Sequence, residues 1–353
     1  MNTRLVRVYD NRMRRLTLFL MIAAVGCGSS NSSTGTGGSG GSGSPGTGGT
    51  GNPGTGGSAG TGNTGGQVIG SSGCALFTPD DVWNEDVSGH AVDSANTTKM
   101  YNLIGMTTPI HPDFGTDFGI PITIVPQSQP KVPIVFDDYP DESDPGPYPF
   151  PGAGVVQVEG TSDPTNCSGD CHVLVVQMGA CKVYEGYACH LATDAWHCSN
   201  GAIWDLTKKS EGQRPDGWTS ADAAGLSIYA GLARYEEVMA GAITHAIRFT
   251  LPCTADARVA PATHQAVPGS CSSKPPGPPM GLRVRLKASY DISGFDPTVQ
   301  IFLRAFKKYG LILADNGGSS STFYFQSEVN TNWPDTINDL KMVPVSAFEA
   351  VVP

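Results

Sequence analysis

A mainly-β fold is predicted, a two-sheet, jelly-roll-like β-sandwich with one or two short covering helices, and three observations predict it. The apolar runs after residue 73 are only four to eight residues long, and several alternate apolar with polar positions, the period of a half-buried strand. Gly (45) and Pro (27) punctuate those runs and leave little room for long helices. Only Pro297–Lys308 carries a full set of helix signals.

The chain opens on a different kind of segment. Arg4, Arg7, Arg12, Arg14 and Arg15 form a basic stretch, Leu16–Val25 is apolar, and Ala24-Val25-Gly26-Cys27 ends in a cysteine. An apolar run this short is a signal-peptide core rather than a membrane span. Residues 1–26 are therefore expected to be removed, and Cys27 resembles the lipidation site of a bacterial lipobox. The alternative is an ordinary secretory signal in which Cys27 is incidental. Gly28, rather than Asp, follows the cysteine, so in a cell with two membranes no inner-membrane retention signal is expected. Residues 28–73 contain no aromatic and no charged residue. Such a composition predicts a disordered tether over 27–73, with a reach of roughly 40 Å. A G-x-G-x-x-G match at Gly46, Gly48 and Gly51 carries nothing, since no strand precedes it. Aromatic and charged residues return at Cys74, and 74–353 reads as one β-rich domain.

Within that domain the strand candidates are Ile120–Val125, Val132–Phe136, His172–Gln177, Lys182–Tyr187, Ala202–Leu206, His245–Leu251, Gly281–Ala288, Leu311–Ala314 and Thr322–Gln326. Met178–Cys181 is expected to join two of them as a hairpin loop. Ser220–Asp222 begins a turn or short helix, and Tyr235–Ala240 a helix stopped at Gly241. In Pro297–Lys308, proline occupies the first turn and Val299, Phe302, Leu303 and Phe306 recur at helical spacing. Two lysines fill the last turn, and Gly310 ends it.

Charge and cysteine bound the function. Residues 1–26 hold five of the 22 basic and one of the 32 acidic residues, which leaves 17 against 31, a net of −14. That balance argues against nucleic acid and against electrostatic attachment to anionic lipid, so contact with membrane is expected only through a lipid anchor. Besides Cys27 there are eight cysteines, an even number suited to disulfides in an exported chain. Cys189 with Cys198, and Cys253 with Cys271, are expected pairs, each closing a short polar loop. Zinc is the rival, and Cys167-x3-Cys171 beside His172 is the one cluster with metal-like spacing.

Motifs for serine α/β-hydrolases, zincins, β-lactamase-like enzymes and P-loop NTPases are absent after residue 73. Three diffuse clusters remain. Asp137, Asp138, Asp141, Glu142 and Asp144 crowd five carboxylates into one acidic loop, either solvated or a calcium site, the one cofactor proposed. Arg283, Arg285 and Lys287 should share one strand face, with Arg248 joining them if the strands pair. That stripe would either meet acidic neighbours or receive an anionic glycan. Finally, His172, Glu185, Asp205 and His245 lie on neighbouring strands. Glu185 and Asp205 are candidates for a catalytic pair facing each other across a cleft, with His172 beside them. Trp204 and Trp218 are candidate platforms for sugar rings.

Several phrases resemble a family of uncharacterised exported bacterial proteins. They are Asp81–Asn84 (DVWN), His111–Gly115 (HPDFG), Asp141–Tyr148 (DESDPGPY), Gly201–Leu206 (GAIWDL), Trp218–Leu226 (WTSADAAGL), His245–Phe249 (HAIRF), Met280–Ser289 (MGLRVRLKAS) and Tyr309–Gly317 (YGLILADNG). The resemblance implies one exported globular domain behind a signal or lipobox, and no reaction. Taken together, the residues predict a lipid-anchored, carbohydrate-active protein of the cell surface or outer membrane, a hydrolase or lyase whose partner is a polysaccharide or envelope glycan. The alternative is a non-enzymatic surface lipoprotein that binds a glycan or an envelope partner. Carboxylates, or an Arg–Tyr–His set, converging at the floor of an aromatic-lined groove would favour the enzyme.

Overall fold

The computed structural model describes residues 72–116, 118–269, 271, 277–317 and 323–353. Cys27, the signal segment and nearly all of the tether lie outside the described residues. Among those described, the strands fall into three sheets rather than the two of a sandwich. The largest has the order β1 (Ile110–Asp113), β12 (Phe323–Gln326), β9 (Ile247–Leu251), β11 (Leu311–Asn316), β10 (Arg283–Leu286), β13 (Phe348–Ala350). The second runs β2 (Ile122–Val125), β4 (Val173–Gln177), β5 (Lys182–Tyr187), β8 (Asn200–Asp205). The third comprises β3 (Ile134–Phe136), β7 (Trp196–Cys198) and β6 (His190–Leu191). Each of the nine expected strand segments overlaps a strand. Their partners depart from a jelly roll, because β1/β12, β9/β11, β2/β4 and β3/β7 pair in parallel and so need long crossovers.

Strand alternation gives the six-stranded sheet two unlike faces. Ile110, Ile247, Phe249, Leu251, Leu311, Leu313, Phe323 and Phe325 are fully buried along one of them. Helix α4 (Pro297–Lys308) covers that face with Val299, Phe302, Leu303 and Phe306, and Phe306 meets Phe325 edge-on at 5.2 Å between centroids. Its bounds match the expectation: Asp296 caps it by accepting from Thr298 N at 2.8 Å, Pro297 begins it, and Lys307 and Lys308 close the last turn. At Gly310, φ is +67° and an added Cβ would lie 2.3 Å from the Val284 carbonyl oxygen, so the stop requires glycine.

Helix α1 (Ser94–Ile104) was not foreseen, because its Ser, Asn and Thr residues mask the spacing of Thr97, Met100, Leu103 and Ile104, the side it buries. Helix α2 (Ile228–Gly231) is a single turn, α3 (Tyr235–Met239) falls where a helix was expected, and Ser220–Asp222 forms a turn. The hairpin at Met178–Cys181 joins β4 to β5 with Gln177 opposite Lys182. Both expected disulfides, Cys189–Cys198 and Cys253–Cys271, are present. Cys74–Cys181 and Cys167–Cys171 are the other two, so the metal reading of Cys167 and Cys171 gives way to a bond between them.

Candidate functional site

The other face of the six-stranded sheet is polar. His111 sits opposite Tyr324, Asp113 opposite Gln326, Tyr324 opposite Thr250, and Thr250 opposite Asp315, so these residues share one side of the sheet. Arg248 joins them, two residues before Thr250. Asp315 reaches this side because of a bulge. The register passes from Leu313↔Phe249 to Asp315↔Thr250, with Ala314 as the extra residue. Regular alternation would have turned Asp315 towards the apolar side.

A cavity of about 450 Å³ lies over this face, lined by His111, Asp113, Arg248, Thr250, Asp315, Tyr324 and Gln326 of the sheet and by Phe118, Asp170 and His172 from outside it. A second cavity of about 240 Å³ is lined by Tyr139, Tyr187, Asn200, Ser220 and His264. Both include Asp170, Asp315 and Asn316, and together they make one groove with aromatic residues along its length.

Five charged groups underlie the groove. Asp222, fully buried in the turn after Ser220, accepts from Arg248 Nε and Nη2 at 2.9 Å each. Asp315 Oδ2 is 3.8 Å from the same Nη2. Burial opposes the charge of Arg248, but Asp222 outweighs it and holds the guanidinium above its ordinary pKa. His172 Nδ1 meets Glu159 Oε2 at 2.5 Å, and Nε2 meets the Ala221 carbonyl at 3.2 Å. Two acceptors on two ring nitrogens require both to carry hydrogen, the imidazolium form. Burial works against that charge, yet Glu159 prevails and raises the His172 pKa. Burial likewise pushes Glu159 up, but His172 draws it below the ordinary carboxylate value. Two cations are thus matched by Glu159 and Asp222, and Asp315 is the odd carboxyl. Burial first, then the charge of Asp222, pushes Asp315 up to about 7, with Arg248 only partly offsetting them. Near neutral pH this group can hold a proton and release it.

Of the residues singled out from the sequence, His172 and Arg248 belong to the groove, as do His111, His264 and Tyr187, whereas Glu185, Asp205, His245, Trp204, Trp218 and the basic stripe do not. Glu185 and Asp205 cannot face one another. Glu185 is opposite Ala202 in the β5/β8 ladder, and Asp205, three residues on, projects from the other face. Glu185 is fully buried and accepts from Trp204 Nε1 (2.9 Å), Ser227 Oγ (2.8 Å) and the backbone nitrogens of Tyr229 (2.9 Å) and Ile228 (3.2 Å) at the start of α2. Asp205 accepts from Thr207 N at 3.1 Å and pairs with Lys208, a turn carboxylate. Trp204 is buried in the main core and donates to Glu185, and Trp218 has the Arg214 guanidinium over its ring at 5.3 Å; neither lines the groove. His245 lies buried against Glu237 at 3.1 Å.

The basic stripe is spent on its own chain. Arg283 donates to the carbonyls of Tyr309 and Val82, Arg285 to Glu349 and the Val87 carbonyl, and Lys287 to the Ser346 carbonyl. The acidic loop likewise fans out instead of converging on calcium. Asp137 turns to His197, Asp138 to Ser199 Oγ, Glu142 to Thr219 N, and Asp144 to Arg214 and Ile203 N, while Asp141 is exposed. Among the described residues, no three His, Cys, Asp or Glu side chains are grouped to hold a metal ion.

The groove residues that sequence reasoning missed are Asp315, Asp222, Glu159, Asp170, Asp113 and Tyr324. Three of them lie in phrases singled out for resemblance: Asp113 in HPDFG, Asp222 in WTSADAAGL and Asp315 in YGLILADNG. No helix among the described residues is long and apolar enough to cross a membrane. Comparison with family models, with curated proteins and with solved structures finds no match to this chain.

Proposed function

We propose that this chain is an exported enzyme that cleaves glycosidic bonds in the groove over the polar sheet face. Asp315 is the proton donor to the leaving oxygen, and Asp170 is the carboxylate that activates water. The observation that carries the reading is the placement of both carboxyls at the junction of the two cavities. Glycoside hydrolysis uses two carboxyl groups in unlike environments, one protonated and one ionised. Asp315 lies above the Arg248–Asp222 pair with a pKa near 7, whereas Asp170 is exposed. Tyr139 and Tyr187 on one side, with Phe118 and Tyr324 on the other, offer ring faces against which sugars stack. The same reading places the protein at the cell surface, anchored by lipid on Cys27.

The test is reducing-end release by the purified full-length protein across a polysaccharide panel, with uronate unsaturation scored in parallel. Asp315→Asn and Asp170→Asn should each lower turnover about 10²–10⁴-fold, the usual contribution of general acid–base catalysis. Unsaturated product would replace hydrolysis by elimination. Binding without cleavage by wild type would leave a glycan-binding lipoprotein. Cys27→Ser should move the protein from the membrane to the soluble fraction, and a variant that stays in the membrane refutes the anchor.

A further inference from the structure

The lining of the groove is unevenly committed. Its two buried cations already have partners, Arg248 with Asp222 and His172 with Glu159. Three of its side-chain amide oxygens do not. Gln326 Oε1 and Asn316 Oδ1, on residues that line the wider cavity, are buried without a hydrogen-bond partner, and so is Asn200 Oδ1 on a residue of the narrower one that is only 1% exposed. Unpaired buried acceptors are costly, so a ligand that brings donors is favoured there. Asp113 adds charge to this picture. It is the register partner of Gln326 on the adjacent strand, so their side chains rise from one face about 5 Å apart. Asp113 Oδ1 meets His111 Nδ1 at 2.8 Å, and the residue lines the wider cavity.

We propose that the wide end of the groove binds a sugar bearing a free amine, its ammonium seated between the Asp113 carboxylate and Gln326 Oε1. This rests on the glycan-cleaving reading and names its substrate class. An ammonium is a donor-only group with three hydrogens, and it meets both acceptors while balancing the charge of Asp113. Tyr324, between His111 and the Thr250 row, with Phe118 exposed above, supplies the flat surface for the ring. An N-acetyl group offers the same acceptors one weaker donor. A uronate brings a carboxylate next to Asp113 and Asp170, where like charges repel.

The experiment measures binding of glucosamine oligomers, N-acetylglucosamine oligomers and oligogalacturonate to the full-length protein and to Asp113→Asn, at 0.1 M salt. Asn keeps an oxygen for His111, so the variant should melt with wild type. Wild type should favour the glucosamine oligomers at least tenfold over the N-acetylated ones. Asp113→Asn should cut glucosamine binding about tenfold and raise galacturonate binding, opposite signs that a merely structural change would not produce. Loss of all ligands together in the variant, or no preference in wild type, overturns the amino-sugar assignment. Cleavage of neutral or N-acetylated oligomers without that preference overturns the assignment and leaves the glycan-cleaving reading standing. A wild-type protein that binds none of the three, nor any member of the wider panel, overturns both.

Discussion

Arg283 and Arg248 stand in one row of the six-stranded sheet, on the same face, with Ile312 between them. Both are buried, and both looked from the sequence like parts of one ligand-binding stripe. Arg283 is met by backbone dipoles, the Tyr309 and Val82 carbonyls, and burial pushes its pKa down to about 10. Arg248 is met by a carboxylate, which more than offsets burial. A guanidinium answered by dipoles fixes two chain segments and does nothing further. One answered by a charge becomes part of an electrostatic set, and through it acts on Asp315. The counter-group, rather than the cation, separates a structural arginine from one that tunes a site.

Replacing each arginine by an apolar residue of similar length is the most forceful way to break that contrast. Arg248→Met leaves the fully buried Asp222 without its partner, and should cost about 3–5 kcal/mol in urea unfolding while abolishing cleavage. Unfolding at the wild-type urea midpoint would show that the pair is not structural.

Asp315→Asn is expected to act on turnover, with the large loss given above, and on the pH dependence of stability. The folded chain binds the Asp315 proton more tightly than the unfolded chain, with a pKa of about 7 against an ordinary 3.8. Between those values it therefore carries more protons than the unfolded chain, and stability falls as pH rises through the window. Removing the group should remove that fall, so the variant gains on wild type above pH 7 and shows no such gain below pH 4. Melting temperatures at pH 4, 6 and 8 decide it, and parallel curves would refute the raised value.

Arg283→Met should be milder, about 2–3 kcal/mol for two carbonyls left without a charged donor, and should not alter the pH profile of cleavage. A shifted profile would join Arg283 to the site after all. At the small end, Asp205→Asn keeps the turn oxygen that Thr207 uses and should change stability by less than about 0.5 kcal/mol, with turnover unaffected. A hundredfold loss would restore the catalytic role read for Asp205 from the sequence.

The strands were legible because period-2 alternation survives in short runs such as Ile247–Leu251, and α4 because its cap, its proline and its lysines all agree. Partnering was not, since nothing within β9 says that β11 and β12 will flank it. The site failed at the same point. Glu185 and Asp205 looked like neighbours until the register set Glu185 opposite Ala202, three positions from Asp205 and so on the other face. Asp315 was hidden by a one-residue bulge, which no count along Leu311–Asn316 reveals. Asp222 read as a turn residue because it is one, and only the fold brings Arg248 beneath it. His172 and Arg248 were found because a polar residue at a strand edge or inside an apolar run is conspicuous by itself.

The disulfide between Cys74 and Cys181 also fixes how the domain would bear a mechanical load. Cys181 sits at the tip joining β4 to β5, the two middle strands of their sheet. Tension applied to the chain ahead of Cys74 crosses that bond and enters at the hairpin tip. The 106 intervening residues form a closed covalent ring outside the line of force. Glu159, Asp170 and His172 all belong to this slack ring, so one wall of the groove stays unstretched under a pull from the amino-terminal side.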